Sequence, residues 1–263
     1  MGRRKVVNGI CRLCGLETKL TFEHVPPRSS YNKTTRYKSI STEYYFRNPD
    51  PLNMKVKNKE LQGGTGFHSL CSTCNNFLGR TYVDYYKNWV DVGIQVLEQE
   101  GNHPIYVYDV INIKPLNIIK QIISMFISLN DVWFLESYPE LSEFVRNPES
   151  EELPDKYQVY TYLNNEGQIR NLPFQVKGNL KTSQIIKCSE LSFPPYGYVL
   201  TFDKDVKINH LCDITYFKNY SLDDITDIEL KMYRLPTHLQ VPLDSHTSAH
   251  LQCVLLYYLV VQQ

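Results

Sequence analysis

Two short stretches, Cys11-Arg12-Leu13-Cys14 and Leu70-Cys71-Ser72-Thr73-Cys74-Asn75-Asn76, decide how the first third of the chain reads. Each holds a Cys-x-x-Cys pair, and two such pairs supply the four thiolates of a closed, tetrahedral structural zinc site. A closed site keeps no position open for substrate. The metal is therefore expected to hold the chain together. Chemistry is expected from what the clamps bring close, namely Glu23-His24 between them and Asn75-Asn76 directly after the second. Gly15, following the first clamp, suits a knuckle whose backbone turns tightly around the ion.

Working outward, Leu20-Thr21-Phe22 reads as a brief strand ending at Glu23-His24. Val25-Pro26-Pro27-Arg28 stops it, since proline cannot continue a ladder. Side chains alternate along a strand, which puts Glu23 and His24 on opposite sides unless a bend intervenes. Residues 29–65 read as a long loop with irregular hairpin character. There Tyr31, Tyr37, Tyr44, Tyr45 and Phe46 are interleaved with Lys33, Arg36, Lys38 and Arg47. Such a mixture either stacks on bases and grips a phosphate backbone or covers a small zinc-bound core. Gly63-Gly64-Thr65-Gly66 lacks the spacing and downstream Lys-Ser/Thr of a phosphate-binding loop and is read as a turn into Phe67-His68-Ser69-Leu70. Beyond the second clamp, Tyr82–Glu98 has helical periodicity, with Val83, Tyr86, Val90, Ile94 and Leu97 expected on the core face. Asn75 then lies near a helix start, where it serves either as a cap or as a metal ligand, with Asn76 as the alternative ligand.

The composition sets outer limits. With 263 residues, 42% hydrophobic and 13% aromatic, the chain can bury a sizeable core as one large domain or two modest ones. The basic N-terminus is followed by no apolar run, so no secretory signal is expected. Val254 to Val260 is far shorter than the ~20 residues of a membrane helix, so no membrane partner is expected. Of seven cysteines, Cys188, Cys212 and Cys253 are scattered, a pattern that fits a reducing cytoplasm better than a secreted disulfide framework. The formal net charge is zero, but it is unevenly placed: residues 1–90 carry 15 Lys and Arg against 6 Asp and Glu, and residues 91–263 carry 13 against 22. The excess of +9 falls on the segment with the clamps, as expected of a segment that meets a polyanion.

On Cys11/Cys14, Glu23-His24, Leu70-Cys71-Ser72-Thr73-Cys74-Asn75-Asn76 and Gly79, the chain resembles the HNH nuclease superfamily. In its ββα-metal motif a histidine on a strand faces a metal ligand on a helix. The resemblance is to the zinc-clamped branch, with recombination endonuclease VII and bacterial proteins carrying Cys-x-x-Cys-Asn-Asn, and it covers the first third of the chain. It implies zinc on Cys11, Cys14, Cys71 and Cys74, Mg²⁺ or Mn²⁺ on Glu23 and Asn75, and His24 as general base. A hard cation takes carboxylate and amide oxygens, and a neutral imidazole can accept a proton from water near neutral pH. Arg28, Lys33, Arg36, Lys38 and Arg80 are the candidate nucleic-acid contacts, though solvated arginine is the plainer account of Arg28 and Arg80. The branch often has Asp where Glu23 stands. A middle asparagine expected shortly before the second clamp is absent, with Gly66 and His68 in its place.

From about residue 101 the character changes. Ile105-Tyr106-Val107-Tyr108 reads as a strand, Pro115–Leu129 as a buried helix with proline in its first turn, and Tyr138–Arg146 as a shorter helix. Strands are expected at Tyr157–Leu163, Ile169–Val176, Gly197–Phe202, Ile214–Phe217, Ile228–Met232 and Leu251–Val260. Asn164-Asn165-Glu166-Gly167 reads as a hairpin turn joining the first two. The expected fold is α+β: a zinc-stabilised ββα-metal domain over 1–100, then a mixed domain over 101–263 with a largely antiparallel sheet. The expected function is hydrolysis of DNA, with RNA as a second substrate, and the resemblance adds restriction or antiviral defence as settings. The rival expectations are a zinc-stabilised nucleic-acid-binding module without catalysis, and a nuclease effector regulated through its C-terminal part. That part is assigned to recognition, homodimerisation or a regulatory partner.

Overall fold

A computed structural model describes residues 6–33, 35–39, 59–99, 103–164, 169–179, 184–204, 207–208 and 211–235. The expectations at Tyr44, Tyr45, Phe46 and Arg47, at the 165–167 turn and at 251–260 lie outside the described residues, as does the side chain of Lys38. The fold is α+β with largely antiparallel sheets. Among the described residues no helix is long and apolar enough to cross a membrane.

The N-terminal sheet is antiparallel, with β1 (Val7–Ile10) and β5 (Gly66–Cys71) flanking β2 (Glu17–His24). A hairpin of β3 (Arg36–Ser39) and β4 (Lys59–Gln62) stands beside it as its own two-stranded sheet. The chain passes from β5 straight into helix α1 (Ser72–Thr81), because Cys71 is the helix N-cap and its sulfur accepts from the Cys74 amide at 3.4 Å. Tyr82 separates α1 from α2 (Val83–Glu98), and its buried hydroxyl donates to the Val145 carbonyl at 2.7 Å.

Helix α2 buries Tyr86, Trp89, Val90, Gly93 and Val96, so the core face is rotated from the expected stripe, and Ile94 and Leu97 are only half-buried. The rotation comes from Trp89. Its ring stacks on Tyr196 at 4.9 Å and its Nε1 donates to the Tyr198 hydroxyl at 3.0 Å. Gly93 faces the same ring: a Cβ there would sit 2.5 Å from Tyr196 Cζ, so only glycine lets α2 approach this closely.

The large sheet has the order β6 (Ile105–Ile113), β12 (Thr226–Leu235), β7 (Gln158–Asn164), β10 (Tyr196–Thr201), β9 (Gln184–Phe193) and β8 (Arg170–Asn179), with β11 (Cys212–Asp213) on β7. Its pairs are antiparallel apart from the short β12–β7 contact. Helix α3 (Pro115–Leu129) has every residue buried, and α4 (Val132–Ser137) and α5 (Pro139–Arg146) follow it. A large hydrophobic core takes in residues from Cys11 through Trp89 and α3 to Met232, and a smaller cluster holds Tyr160, Tyr162 and Ile186.

Two expectations fail here. The strand at Ile214–Phe217 is instead a 3₁₀ turn over Thr215–Asn219. Asp213 Oδ1 accepts from the Thr215 amide at 2.8 Å, the local bond by which an aspartate turns the chain off an extended path. Among the described residues β7 and β8 also do not pair with each other: β7 pairs with β10, and β8 with β9. All six residues of β10 are buried, which suits its central place beside β7.

Candidate metal centre and adjoining cleft

The first clamp lies on the turn between β1 and β2, and the second at the junction of β5 and α1. Pairing of β2 with β5 sets Leu20 opposite Cys71 and so brings the clamps together. The four sulfurs all lie within 4.8 Å of one another, with Cys14 and Cys71 at 4.0 Å. Tetrahedral bonds of ~2.3 Å would separate sulfurs by ~3.8 Å, so the four cysteines can hold a metal ion such as zinc with little adjustment. The Cys71 amide donates to Cys11 Sγ at 3.3 Å, as suits a sulfur that carries charge. Hydrogen bonding with Cys74 draws the Cys11 thiol down to about 4, and the same contact raises the Cys74 thiol. A dication at the centre would let all four ionise.

Beside this cluster lies an open cleft of about 490 Å³, lined by Phe22, Glu23, His24, Pro27, Arg28, Ser29, Lys33, Asn75, Gly79 and Val83. It brings together Glu23, His24, Asn75, Arg28 and Lys33. Arg36 on β3 and Arg80 in the last turn of α1 are exposed and do not line it. Alternation alone would set Glu23 and His24 apart. The ladder shifts between Thr21 and Phe22, however, where β5 carries Ser69 as an extra residue. Such a bulge bends the strand that carries it, here β5, opposite the end of β2 that borders the cleft.

Each candidate is held in its own way. Glu23 is 7% exposed, and among the described residues it has no hydrogen bond or ion pair, so burial pushes its carboxyl up to about 8. His24 Nε2 lies 3.2 Å from the Gly63 carbonyl oxygen. A carbonyl only accepts, so in the neutral ring Nε2 carries the proton and Nδ1 remains the acceptor. Asn75 Nδ2 donates to Thr21 Oγ1 at 3.0 Å, while the Thr21 hydroxyl donates to the Leu70 carbonyl at 2.9 Å. With its one proton directed there, Thr21 can only accept from Asn75, which fixes the amide; among the described residues Asn75 Oδ1 has no hydrogen-bond partner.

The cleft loop depends on residues that have no motif. Asn32, fully buried, donates from Nδ2 to the Pro26 carbonyl at 2.7 Å and to the Thr65 carbonyl at 2.8 Å, and its Oδ1 accepts from the Thr65 amide at 2.8 Å. It ties the segment after His24 to the segment before β5. Gly64, at φ +92°, lies against it, and a Cβ there would come within 1.9 Å of the Asn32 carbonyl oxygen. Tyr31 takes a left-handed φ of 66°, and its hydroxyl donates to Asp91 Oδ1 on α2 at 2.8 Å. Asn32 was readable only as one more polar loop residue; its partners are as far as 33 positions away.

Comparisons of the chain with protein-family models, with curated proteins and with solved structures return no match.

Proposed function

We propose that the chain is a metal-dependent endonuclease of the HNH class that hydrolyses phosphodiester bonds in DNA. The observation that carries this reading is the convergence of Glu23, His24, Asn75, Arg28 and Lys33 on one cleft. Glu23 and Asn75 suit a hard cation, since among the described residues neither the buried Glu23 carboxyl nor the Asn75 amide oxygen has a hydrogen-bond partner. A divalent ion such as Mg²⁺ or Mn²⁺, when bound there, would supply positive charge to steady the leaving oxygen.

The chain's own groups do the rest. Arg28 and Lys33, exposed at the cleft, hold phosphate oxygens and so fix the strand over His24. His24 Nδ1 takes a proton from a water whose oxygen bonds to phosphorus as the bond to the 3′ oxygen breaks. The 3′ oxygen leaves with the bonding electron pair and takes a proton from solvent water, so the products are a 5′ phosphate and a 3′ hydroxyl. The four cysteines keep β2 and α1 at a fixed separation, which sets the distance between Glu23 and Asn75.

The test is plasmid cleavage with Mg²⁺ or Mn²⁺ by the wild type and by His24→Ala. Removal of a general base is expected to slow cutting by about 10²–10⁴-fold. Equal cutting by both would take His24 out of the mechanism. A folded, zinc-loaded wild type that binds DNA and cuts none would leave a non-catalytic binding module.

A further inference from the structure

Neighbouring residues at the end of β2 differ in exposure: Glu23 is 7% exposed while Phe22, beside it, is 41% exposed. A buried carboxylate is rare, and although a single exposed ring is ordinary, this one stands in the cleft beside the candidate base. Both residues face the same cleft. The proposed cation accounts for Glu23 but does nothing for Phe22.

The Phe22 ring stands 5.0 Å from the His24 ring at 88° and 5.4 Å from the His68 ring at 71°. Neither imidazole lies parallel against it, so no side chain among these stacks on its face. His68 is itself exposed, and β5 holds it directly opposite Phe22. An apolar ring, cationic side chains and a candidate base therefore share one opening.

We propose that Phe22 is a stacking platform for the nucleobase next to the scissile phosphate, so that the cleft takes unpaired nucleotides in preference to intact duplex. The inference rests on the nuclease reading and deepens it. A base in a duplex is covered on both faces by its neighbours, whereas an unpaired base offers a face to an aromatic ring. With its phosphate held by Arg28 and Lys33 beside His24, a nucleotide lays its base over the adjoining ring. Phe22 thereby selects the substrate and takes no part in the proton transfer.

The experiment uses the full-length, zinc-loaded chain. Phe22→Trp is combined with His24→Ala to prevent turnover, and emission is read against His24→Ala alone, which subtracts Trp89 and Trp133. Single-stranded DNA, its RNA counterpart and blunt duplex of the same sequence are titrated with Mg²⁺ present. Both single strands are expected to quench the new tryptophan, and duplex is not. In the wild-type background, Phe22→Leu is expected to weaken single-strand binding and cleavage about tenfold, with Phe22→Trp restoring both, while duplex values stay level. Equal quenching by duplex, an unchanged single-strand affinity in Phe22→Leu, or no binding of any strand overturns the platform. Cleavage that persists while the platform fails leaves the nuclease reading standing. Selective quenching by a chain whose wild type cuts nothing keeps the platform and removes hydrolysis.

Discussion

Lys120, at the centre of α3, donates its ammonium protons to the carbonyl oxygens of Asn147 and Pro148 and lies 4.5 Å from the centre of the Phe144 ring. Glu23, at the end of β2, is nearly as buried and has no such partner among the described residues. The C-terminal part thus spends its buried charge on holding a loop to a helix, and the N-terminal part leaves its own directed at a cleft. The two parts also differ in what holds them. Around the cleft the sheet is short, and four sulfurs and a few polar clamps set its geometry. Beyond it, α2 and α3 pack on a broad sheet through stacked aromatics. A region held by few strong contacts can carry uncompensated groups at little risk to the rest of the fold.

Loss of an ion held by the four cysteines should break this contrast most visibly. In zinc-finger peptides the ion contributes on the order of 10 kcal/mol to folding. Cys71→Ser, or chelation, is expected to strip amide-exchange protection from β2, β5 and α1 and to abolish cleavage. The amides of β7, β9 and β10 should stay protected. Uniform loss of protection would mean that the shared core makes the chain one cooperative unit.

Trp89→Ala attacks the other side. It deletes the stack on Tyr196 and the bond to the Tyr198 hydroxyl, and a buried tryptophan lost in this way costs about 3–5 kcal/mol. Denaturant melts followed on both sheets should shift together, since α2 touches both parts. Asn32→Ala is the smaller, local lesion. It orphans the buried Thr65 amide and the Pro26 carbonyl, while the Thr65 carbonyl keeps the Val25 amide at 3.0 Å, for a loss of about 2–3 kcal/mol. Cleavage should fall further than stability does, because the segment released is the one that follows His24. An activity loss no larger than the unfolded fraction would reduce Asn32 to a structural role.

How much of this could be read beforehand follows the same division. Helix α3 was legible from end to end: Pro115 opens it and an unbroken apolar run fills it. The sulfur cluster was legible because ligand spacing is a local signal, and so was the grouping of Glu23, His24 and Asn75 around it. Strand β9 was missed because its buried face carries Glu190 and Ser192, which break the apolar alternation. Glu190 is acceptable there because it has partners such as Arg170 at 3.6 Å and the Tyr162 hydroxyl at 3.2 Å, which are invisible in one dimension. Asn32 and the turn of Asn75 by Thr21 were hidden for the same reason. Local chemistry shows in a sequence; satisfaction of buried polar groups by distant ones does not.

The weakest lesions sharpen the comparison of the two buried charges, because their pH signatures have opposite signs. The Glu23 carboxyl rises from 4.5 to about 8 on folding, so across that interval the folded chain binds the extra proton. Its stabilising contribution is complete below 4.5, declines as pH climbs towards 8 and is gone above. Lys120 is lowered from 10.5 to about 8 by burial, so there the unfolded chain holds the extra proton. Stability lost at neutral pH returns as pH rises from about 8 to 10.5. Each effect is expected to reach about 1–2 kcal/mol, well short of the full shift, since effective screening in proteins is strong even at buried sites. Thermal melts across this range should show Glu23→Gln flattening only the lower slope and Lys120→Met only the upper. Mg²⁺ or Mn²⁺ should flatten the lower slope in the wild type and do nothing in Glu23→Gln, because a cation on Glu23 displaces the proton that the slope reports. A lower slope unmoved by both the substitution and the ion would mean that Glu23 is an inert buried acid.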